Sequence, residues 1–236
     1  MSGVLLCVAG PPFSSQIFRG VAARLAPRPV ELVELAVAAG DGLEAALAQL
    51  QAQVEAHEAV AVLGHGLAVP LVLRLEGVQR IVTNGPTRQL DPVTQALAAL
   101  PRRALVELMR PAPFQAWLRS SAGLRRAVAN PYVMDRDTVA LLTDPVLGER
   151  AARAGAARWV TELSRWLPTP PARLDGVLAL WGDADALYPV DAVSEAIDEA
   201  TGSALVRIEG GRHLHPEERP WALADVLETA LAAREL

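Results

Sequence analysis

The chain has 236 residues, 51% of them hydrophobic, and a formal net charge of -5 at pH 7. The length allows one sizeable core, and the negative charge argues against a nucleic-acid partner. All 22 basic residues are arginine, because the sequence contains no lysine. This excludes Schiff-base catalysis, a P-loop lysine and covalent attachment of pyridoxal phosphate.

The single cysteine, Cys7, lies in the apolar run Val4–Ala9. A lone cysteine forms neither an internal disulfide nor a cysteine-rich metal site, so we expect a buried thiol in a strand. The run lacks the basic start of a signal peptide. No apolar stretch reaches the ~18 residues of a membrane-spanning helix. These features predict a cytoplasmic protein with no membrane partner.

Strands and helices alternate through the first part of the chain. The predicted elements are strand Val4–Ala9, helix Gln16–Leu25, strand Val30–Leu35 (bounded by Gly40), helix Gly42–His57, strand Val60–Leu63, helix Leu67–Leu75 and strand Arg80–Val82. After residue 175 the predicted elements are strand Gly176–Trp181, helix Ala192–Thr201, strand Ala204–Ile208 and helix Trp221–Ala233. This alternation is typical of an α/β protein with a parallel sheet and helices on both faces.

From about Thr87 to Pro168 the strand signals disappear, and helical patterns interrupted by prolines take their place. We interpret residues 87–168 as a helical lid inserted into an α/β core formed by residues 1–86 and 169–236. The aromatic residues of this segment are Phe114, Trp117, Tyr132, Trp159 and Trp166. They could line an apolar pocket or form only the core of the lid, and one or two could do both.

The segment Gly64-His65-Gly66-Leu67-Ala68 joins an apolar run of strand type to a helical run. This context is that of the G-x-S-x-G nucleophile elbow, whose central serine attacks the substrate. Gly66 stands at the serine position and has no side chain that could attack. The space left by a missing serine side chain is roughly that of one water, and a polar site of this size tends to be hydrated.

Two later loops extend the pattern. The strand that ends at Trp181 is followed by a loop that contains Asp183 and Asp185, and His213 stands in a loop before the last helix. The order of elbow, acid and histidine resembles the α/β-hydrolase superfamily, with its Ser…Asp…His sequence. The resemblance covers nearly the whole chain.

The resemblance implies a mostly parallel twisted sheet that lacks the family's first two strands. It places the acid at Asp185, within G-x-x-D-x-x-x-P, and the catalytic histidine at His213, with Glu218, Arg219 and Pro220 at the expected spacing. The edge left by the absent strands could pair with a second copy of the chain as a homodimer.

The family's oxyanion loop, His-Gly-x, corresponds here to Ala9-Gly10-Pro11. The resemblance implies an oxyanion-hole region formed by residue 11 and Leu67, with backbone N–H groups as donors. Proline has no N–H, and the loss of one such donor typically costs about 3–4 kcal/mol at the transition state. Both parts of acyl-transfer chemistry, the nucleophile and the oxyanion hole, therefore depart from the family pattern.

Further candidates surround these positions. The pocket candidates are Pro12, Phe13, Ser14, His65, Phe114, Trp117 and Trp159. Ser14 or Ser15 could replace the nucleophile if it reached His213, although turn and cap roles suit these serines better. We expect His65 to be structural, His57 and His215 to be surface or loop residues, and Asp183 to shape the acid loop. With no third ligand beside His213 and His215, we expect no metal and no other cofactor.

Three functions follow from these features. The first is a non-acylating enzyme of lyase, cyclase or isomerase type, in which His213 and Asp185 act as a general base on an apolar small molecule. The superfamily includes such enzymes, so this breadth is implied by the resemblance. The second is an inactive pseudo-hydrolase that binds a ligand or partner in the old cleft. The third is a hydrolase that uses a bound water or another nucleophile such as Ser14.

Overall fold

The strands of the chain form one parallel sheet, seen in a computed structural model that describes residues 3–35, 42–120, 123, 126–167 and 174–232. The strands are β1 (Val4–Ala9), β2 (Val30–Val33), β3 (Ala59–His65), β4 (Gln79–Thr83), β5 (Leu178–Gly182) and β6 (Ala204–Ile208). Their order across the sheet is β2-β1-β3-β4-β5-β6, and every neighbouring pair is parallel. The predicted α/β class is therefore confirmed.

Helices cover both faces of this sheet. They are α1 (Arg19–Leu25), α2 (Leu43–Ala56), α3 (Val69–Val72), α4 (Pro92–Ala98), α5 (Arg102–Leu108), α6 (Pro111–Arg119), α7 (Arg136–Leu147), α8 (Arg150–Trp166), α9 (Val190–Asp198), α10 (His215–Glu218) and α11 (Pro220–Ala232). Short 3-10 turns occupy Ser15–Phe18, Gly66–Ala68 and Pro131–Val133. Within the described ranges, no helix is both long and apolar enough to cross a membrane.

The central strands are buried on both faces because helices cover each face of a parallel sheet. Leu5 and Cys7 of β1 lie in one apolar cluster, and Leu6 and Val8 lie in the other. This alternation follows the two-residue period of a strand. Cys7 is fully buried, as predicted, and burial raises the pKa of its thiol far above the ordinary value.

Several predicted elements differ from the structure. The helix expected over Gln16–Leu25 begins as the 3-10 turn Ser15–Phe18, and α1 follows it. The helix expected over Leu67–Leu75 is a 3-10 turn followed by the short α3, and its end is tightened by hydrogen bonds from Arg74 N to Leu71 O and from Leu75 N to Val72 O. The loop expected before the last helix contains α10. Pro216 in its first turn suits a helix start, because proline lacks only an N–H that would be unpaired there.

Three predicted boundaries fall outside the described residues. They are Gly40 after the second strand, Pro168 at the end of the lid and Ala233 at the end of the final helix. Strands β2 and β6 are the edges of the sheet. The pairing of a second copy at such an edge stays a prediction.

Helices α4 to α8 all lie between β4 and β5 in the chain, where the lid was predicted. Trp159 of α8 is 1% exposed and belongs to the larger apolar cluster of the core, together with residues of the sheet. Its indole N–H donates to Leu67 O over 3.2 Å. Thus α8 packs directly against the elbow, and the division into core and lid remains a prediction.

Candidate active site

The turn after β3 has the backbone geometry of an elbow. Gly66 has a φ of +58°, in the left-handed region that favours glycine, and its N–H donates to Asn84 O over 3.1 Å. Neighbouring backbone passes very close on both sides. A Cβ on Gly10 would collide with Ala68 N, and a Cβ on Gly85 would collide with Gly66 O. The small residues around the turn are therefore required for its packing.

His213 lies against this turn. A Cβ built on Gly66 would be 4.0 Å from His213 Nε2, which is the nearest atom outside the chain neighbours. The side chain of His213 is 8% exposed, and the residue lines a cavity that Gly66 and Leu67 also line. The structure therefore brings together the elbow and the histidine that the sequence placed about 150 positions apart.

The other ring nitrogen of His213 faces the predicted acid. Its Nδ1 lies 3.1 Å from Asp185 Oδ2, and Asp185 Oδ1 accepts from Leu187 N over 2.8 Å. Burial raises the pKa of Asp185, but the nearby His213 and the hydrogen bonds to the carboxylate outweigh burial and leave this pKa below its ordinary value. An ionised Asp185 holds the proton on His213 Nδ1 and leaves Nε2 as the acceptor that faces Gly66.

Asn84, which is not among the candidates named from the sequence, joins three parts of this site. Its side-chain amide donates to Asp185 Oδ2 over 2.6 Å and its Oδ1 accepts from Gly182 N over 2.8 Å. Its backbone O accepts from Gly66 N. Asn84 is fully buried with a φ of +32°, a conformation that asparagine tolerates better than most residues. The signal for it was the Asn-Gly-Pro that closes β4.

The acid loop and the histidine loop are held side by side. A Cβ on Gly182 would collide with Gly211 O, and Ala184 N donates to Gly211 O over 3.0 Å. Asp183 Oδ1 accepts from Gly210 N over 2.7 Å, so Asp183 supports the loop geometry as expected. These contacts set the distance between Asp185 and His213.

The loop after β1 offers few backbone donors to a substrate. Within residues 10–13, Gly10 N donates to His65 O over 3.1 Å and Phe13 N donates to Gly10 O over 3.3 Å. The two intervening residues, Pro11 and Pro12, have no N–H. Every N–H of this loop is thus absent or already bonded to backbone.

Two other histidines lie below the site. His215 was expected to be a surface or loop residue, but it is fully buried and lies in α10. Its Nδ1–H donates to Arg212 O over 3.0 Å, and its Nε2 accepts from the Thr83 hydroxyl over 3.1 Å. Burial lowers the pKa of His215 to about 4, so the ring is neutral near pH 7. The expectation failed because the short helix turns this side chain inward toward β4.

His65 is also fully buried and packs between the rings of Phe18 and His213, with centroids 6.2 Å and 4.9 Å away. Burial, together with His213 and His215, lowers the pKa of His65 well below its ordinary value. Neither ring nitrogen has a hydrogen-bond partner among the described residues. His65 does not line the cavity beside Gly66 and serves instead as packing beneath His213.

The cavity next to Gly66 and His213 has a volume of about 110 Å³ and is mostly apolar. The aromatic residues that line it are Phe13, Phe114, Trp117 and Tyr188. The Tyr188 ring lies 5.7 Å from that of His213, and its hydroxyl donates to Asp91 Oδ2 over 3.0 Å. The sequence did not indicate this Tyr188–Asp91 pair.

The remaining candidates lie in several places. Pro11, Pro12, Leu67, Phe114 and Trp117 line the cavity with Phe13. Trp159 lines a neighbouring cavity, Tyr132 is 90% exposed, and the Trp166 indole donates to Glu44. Ser14 Oγ donates to Leu141 O and Ser15 Oγ donates to Val33 O, so both hydroxyls are used in packing. No group of three or more metal-ligating side chains occurs in the described part of the chain.

No protein-family model and no curated protein sequence matches this chain. Among solved structures, an α/β-hydrolase fold protein from Burkholderia ambifaria has a TM-score of 0.75 at 23% identity, over 96% of this chain and 90% of that one. For a thermophilic esterase from Thermogutta terrifontis the TM-score is 0.72 at 17% identity, over 98% and 90%. For an epoxide hydrolase it is 0.74 at 16%, over 98% and 92%. The chain therefore has the α/β-hydrolase fold.

Proposed function

We propose that the chain is a non-acylating enzyme of lyase, cyclase or isomerase type that acts on a small apolar molecule. One observation carries the proposal. His213 lies between Asp185, bonded to its Nδ1, and the open position beside Gly66, 4.0 Å from its Nε2. A base with a free nitrogen at the wall of an apolar cavity can accept a proton from whatever the cavity holds.

In this reaction a substrate C–H or O–H bond breaks, and its proton goes to His213 Nε2. The electron pair of that bond stays on the substrate, where it forms a new bond or expels a leaving group. Asp185 stabilises the imidazolium that results. The proton then returns to the substrate at another atom or to the leaving group, which restores His213. Proton transfer of this kind typically contributes about 10²–10⁴-fold to a rate.

The surroundings of the cavity favour this chemistry over acyl transfer. Gly66 offers no nucleophilic atom at the turn. The N–H groups of residues 10–13 are absent or bonded to backbone, so that loop offers no donor for a tetrahedral oxyanion. Ser14 and Ser15 donate to backbone carbonyls, which leaves them unsuited to act as substitutes.

Hydrolysis by water is a second candidate, favoured by the room beside Gly66. Among the described residues other than its chain neighbours, no atom lies closer than 4.0 Å to a Cβ at this position, and the nearest is the basic nitrogen of His213. A water there could be activated by His213 and attack an ester or epoxide directly. This route also needs no covalent intermediate.

A nitrophenyl ester series separates these routes, with intact-mass analysis of the protein during the reaction. We expect no acyl adduct on the native chain and no ester turnover beyond that of His213→Ala. Gly66→Ser is the positive control, because its side chain starts 4.0 Å from His213 Nε2 and should react with a phosphonylating probe. Ester turnover that forms no adduct and is lost in His213→Ala would favour hydrolysis by water over the lyase, cyclase or isomerase reaction. An adduct on the native chain would overturn both.

A further inference from the structure

We propose that the cavity beside His213 binds a compact apolar molecule with a carboxylate group, and that Arg126 at the cavity wall recognises this carboxylate. The inference deepens the proposed function and rests on it in one respect, since it takes this cavity as the substrate site. Arg126 is an exposed side chain that lines the same cavity as His213 and Gly66.

Arg126 has no protein partner in the described part of the chain. No hydrogen bond, ion pair or ring contact links its guanidinium to another described residue, whereas many arginines of this chain are paired. An arginine presents five N–H donors in a planar fork that matches a carboxylate. A free guanidinium at the wall of an apolar cavity is therefore available to an anionic ligand.

The other ionisable groups that line the cavity do not compete for this role. Asp91 Oδ1 accepts from the N–H groups of Val93 and Thr94, and its Oδ2 accepts from the Tyr188 hydroxyl. This carboxylate caps α4, where the positive end of the helix dipole offsets its charge. His213 is occupied by Asp185. Among the described residues of the lining, Arg126 is the remaining charged group.

The backbone next to Arg126 is fixed relative to His213. Ala127 O accepts from Leu214 N over 2.7 Å, and Glu218 accepts from Ala129 N over 2.9 Å and also from Asn130 N. The histidine loop and the segment after Arg126 are thus bonded to each other. The backbone that carries Arg126 is therefore held beside the histidine loop, at the cavity that His213 also lines.

The size of the cavity limits the body of the ligand. Its volume of about 110 Å³ is smaller than that of an apolar cavity of roughly 150 Å³ known to bind benzene. The tilted rings of Phe114 and Trp117, with centroids 5.6 Å apart, form part of its wall. The volume therefore limits the ligand to one small apolar group, with its carboxylate at the exposed Arg126.

The test uses phenylacetate and its neutral analogue phenylacetamide, with binding measured by calorimetry. We expect the native chain to bind phenylacetate about 5-fold more tightly than phenylacetamide. This factor is at the upper end of the range for exposed ion pairs. Arg126→Gln should abolish this preference. Arg136→Gln removes an exposed arginine that does not line the cavity, and it should keep the preference. Benzylphosphonate serves as a second anion, and tighter binding of it than of phenylacetate would overturn the choice of a carboxylate.

Failure of phenylacetate to bind, or an equal preference in the native chain and in Arg126→Gln, would overturn the proposal. Binding is measured without turnover, so its outcome is independent of the catalytic proposal. If the carboxylate preference persisted in His213→Ala and no reaction were found, the ligand assignment would stand while the general-base function would fail.

Discussion

Asn84 is the residue that connects the turn after β3 to the acid loop. It bonds Asp185 and Gly182 through its side chain and Gly66 through its backbone, and all these contacts are buried. Because the side chain satisfies both a carboxylate and a backbone N–H, removal of the amide leaves two buried polar groups without their partner. A buried polar group left unpaired costs more free energy of folding than its hydrogen bond contributes when it is formed.

We therefore expect Asn84→Ala to lower the free energy of unfolding by about 3 kcal/mol. The loss comes from an unpaired Gly182 N–H, an Asp185 Oδ2 left with His213 as its remaining partner, and a left-handed φ that alanine tolerates poorly. Denaturant unfolding monitored by circular dichroism measures this. Asn84→Asp is the companion variant, since it keeps the shape but places a second carboxylate 2.6 Å from Asp185 Oδ2. It should raise the pKa of Asp185. Unchanged stability in Asn84→Ala would contradict the role given to this residue.

At the scale of elements, the site is assembled where parallel strands end. β3 leads into Gly66, β4 into Asn84 and β5 into the loop of Asp185. All three lie along the edge of the sheet formed by the carboxyl ends of its strands. Helix α8 supports this edge from one face. Its Trp159 donates to Leu67 O, the carbonyl that follows Gly66 in the turn. The position of the turn thus depends on a helix that is distant in the chain.

Trp159→Phe removes the indole N–H and leaves Leu67 O without this donor in a buried place. We expect the free energy of unfolding to fall by about 2 kcal/mol. Trp221→Phe is the matched control, because Trp221 is 54% exposed and its truncation should cost less than about 0.5 kcal/mol. Thermal or urea unfolding of the two variants gives the comparison. Equal losses in both would mean that the contact with the turn contributes nothing.

At the scale of the molecule, buried histidines couple stability to pH. Burial lowers the pKa of His215 from 6.5 to about 4 and lowers that of His65 in the same direction. The unfolded chain therefore binds protons more readily than the folded chain at pH values between about 4 and 6.5. Stability from these residues is complete above pH 6.5 and is lost as the pH falls toward 4.

For His215 this loss corresponds to about 3 kcal/mol between pH 7 and pH 4. We expect His215→Asn, which removes the titration, to show a correspondingly smaller fall in the free energy of unfolding. His57→Asn, at the turn that ends α2, is the control variant, since it replaces a histidine that is only partly buried. Urea unfolding at several pH values measures both. Identical pH profiles for His215→Asn and the native chain would contradict the burial argument.

The fold and the proximity of three candidate site residues could be predicted from the sequence because their signals are local. Strand runs, turn glycines and the order of Gly66, Asp185 and His213 are all visible along the chain. Asn84 could not be assigned in this way, since its role depends on contacts with residues about 100 positions away. The same holds for the Tyr188–Asp91 pair. His215 was misplaced because Pro216 starts a short helix that a loop pattern conceals.

Proton exchange tests whether His213 acts as a base in the cavity beside Gly66. Phenylacetone has one ring and acidic C–H groups, and their exchange in D₂O is followed by proton NMR. We expect the native chain to accelerate exchange by about 10²–10⁴-fold over His213→Ala. Asp185→Asn should fall between the two. Equal exchange rates for the native chain and a folded His213→Ala would contradict this role of His213.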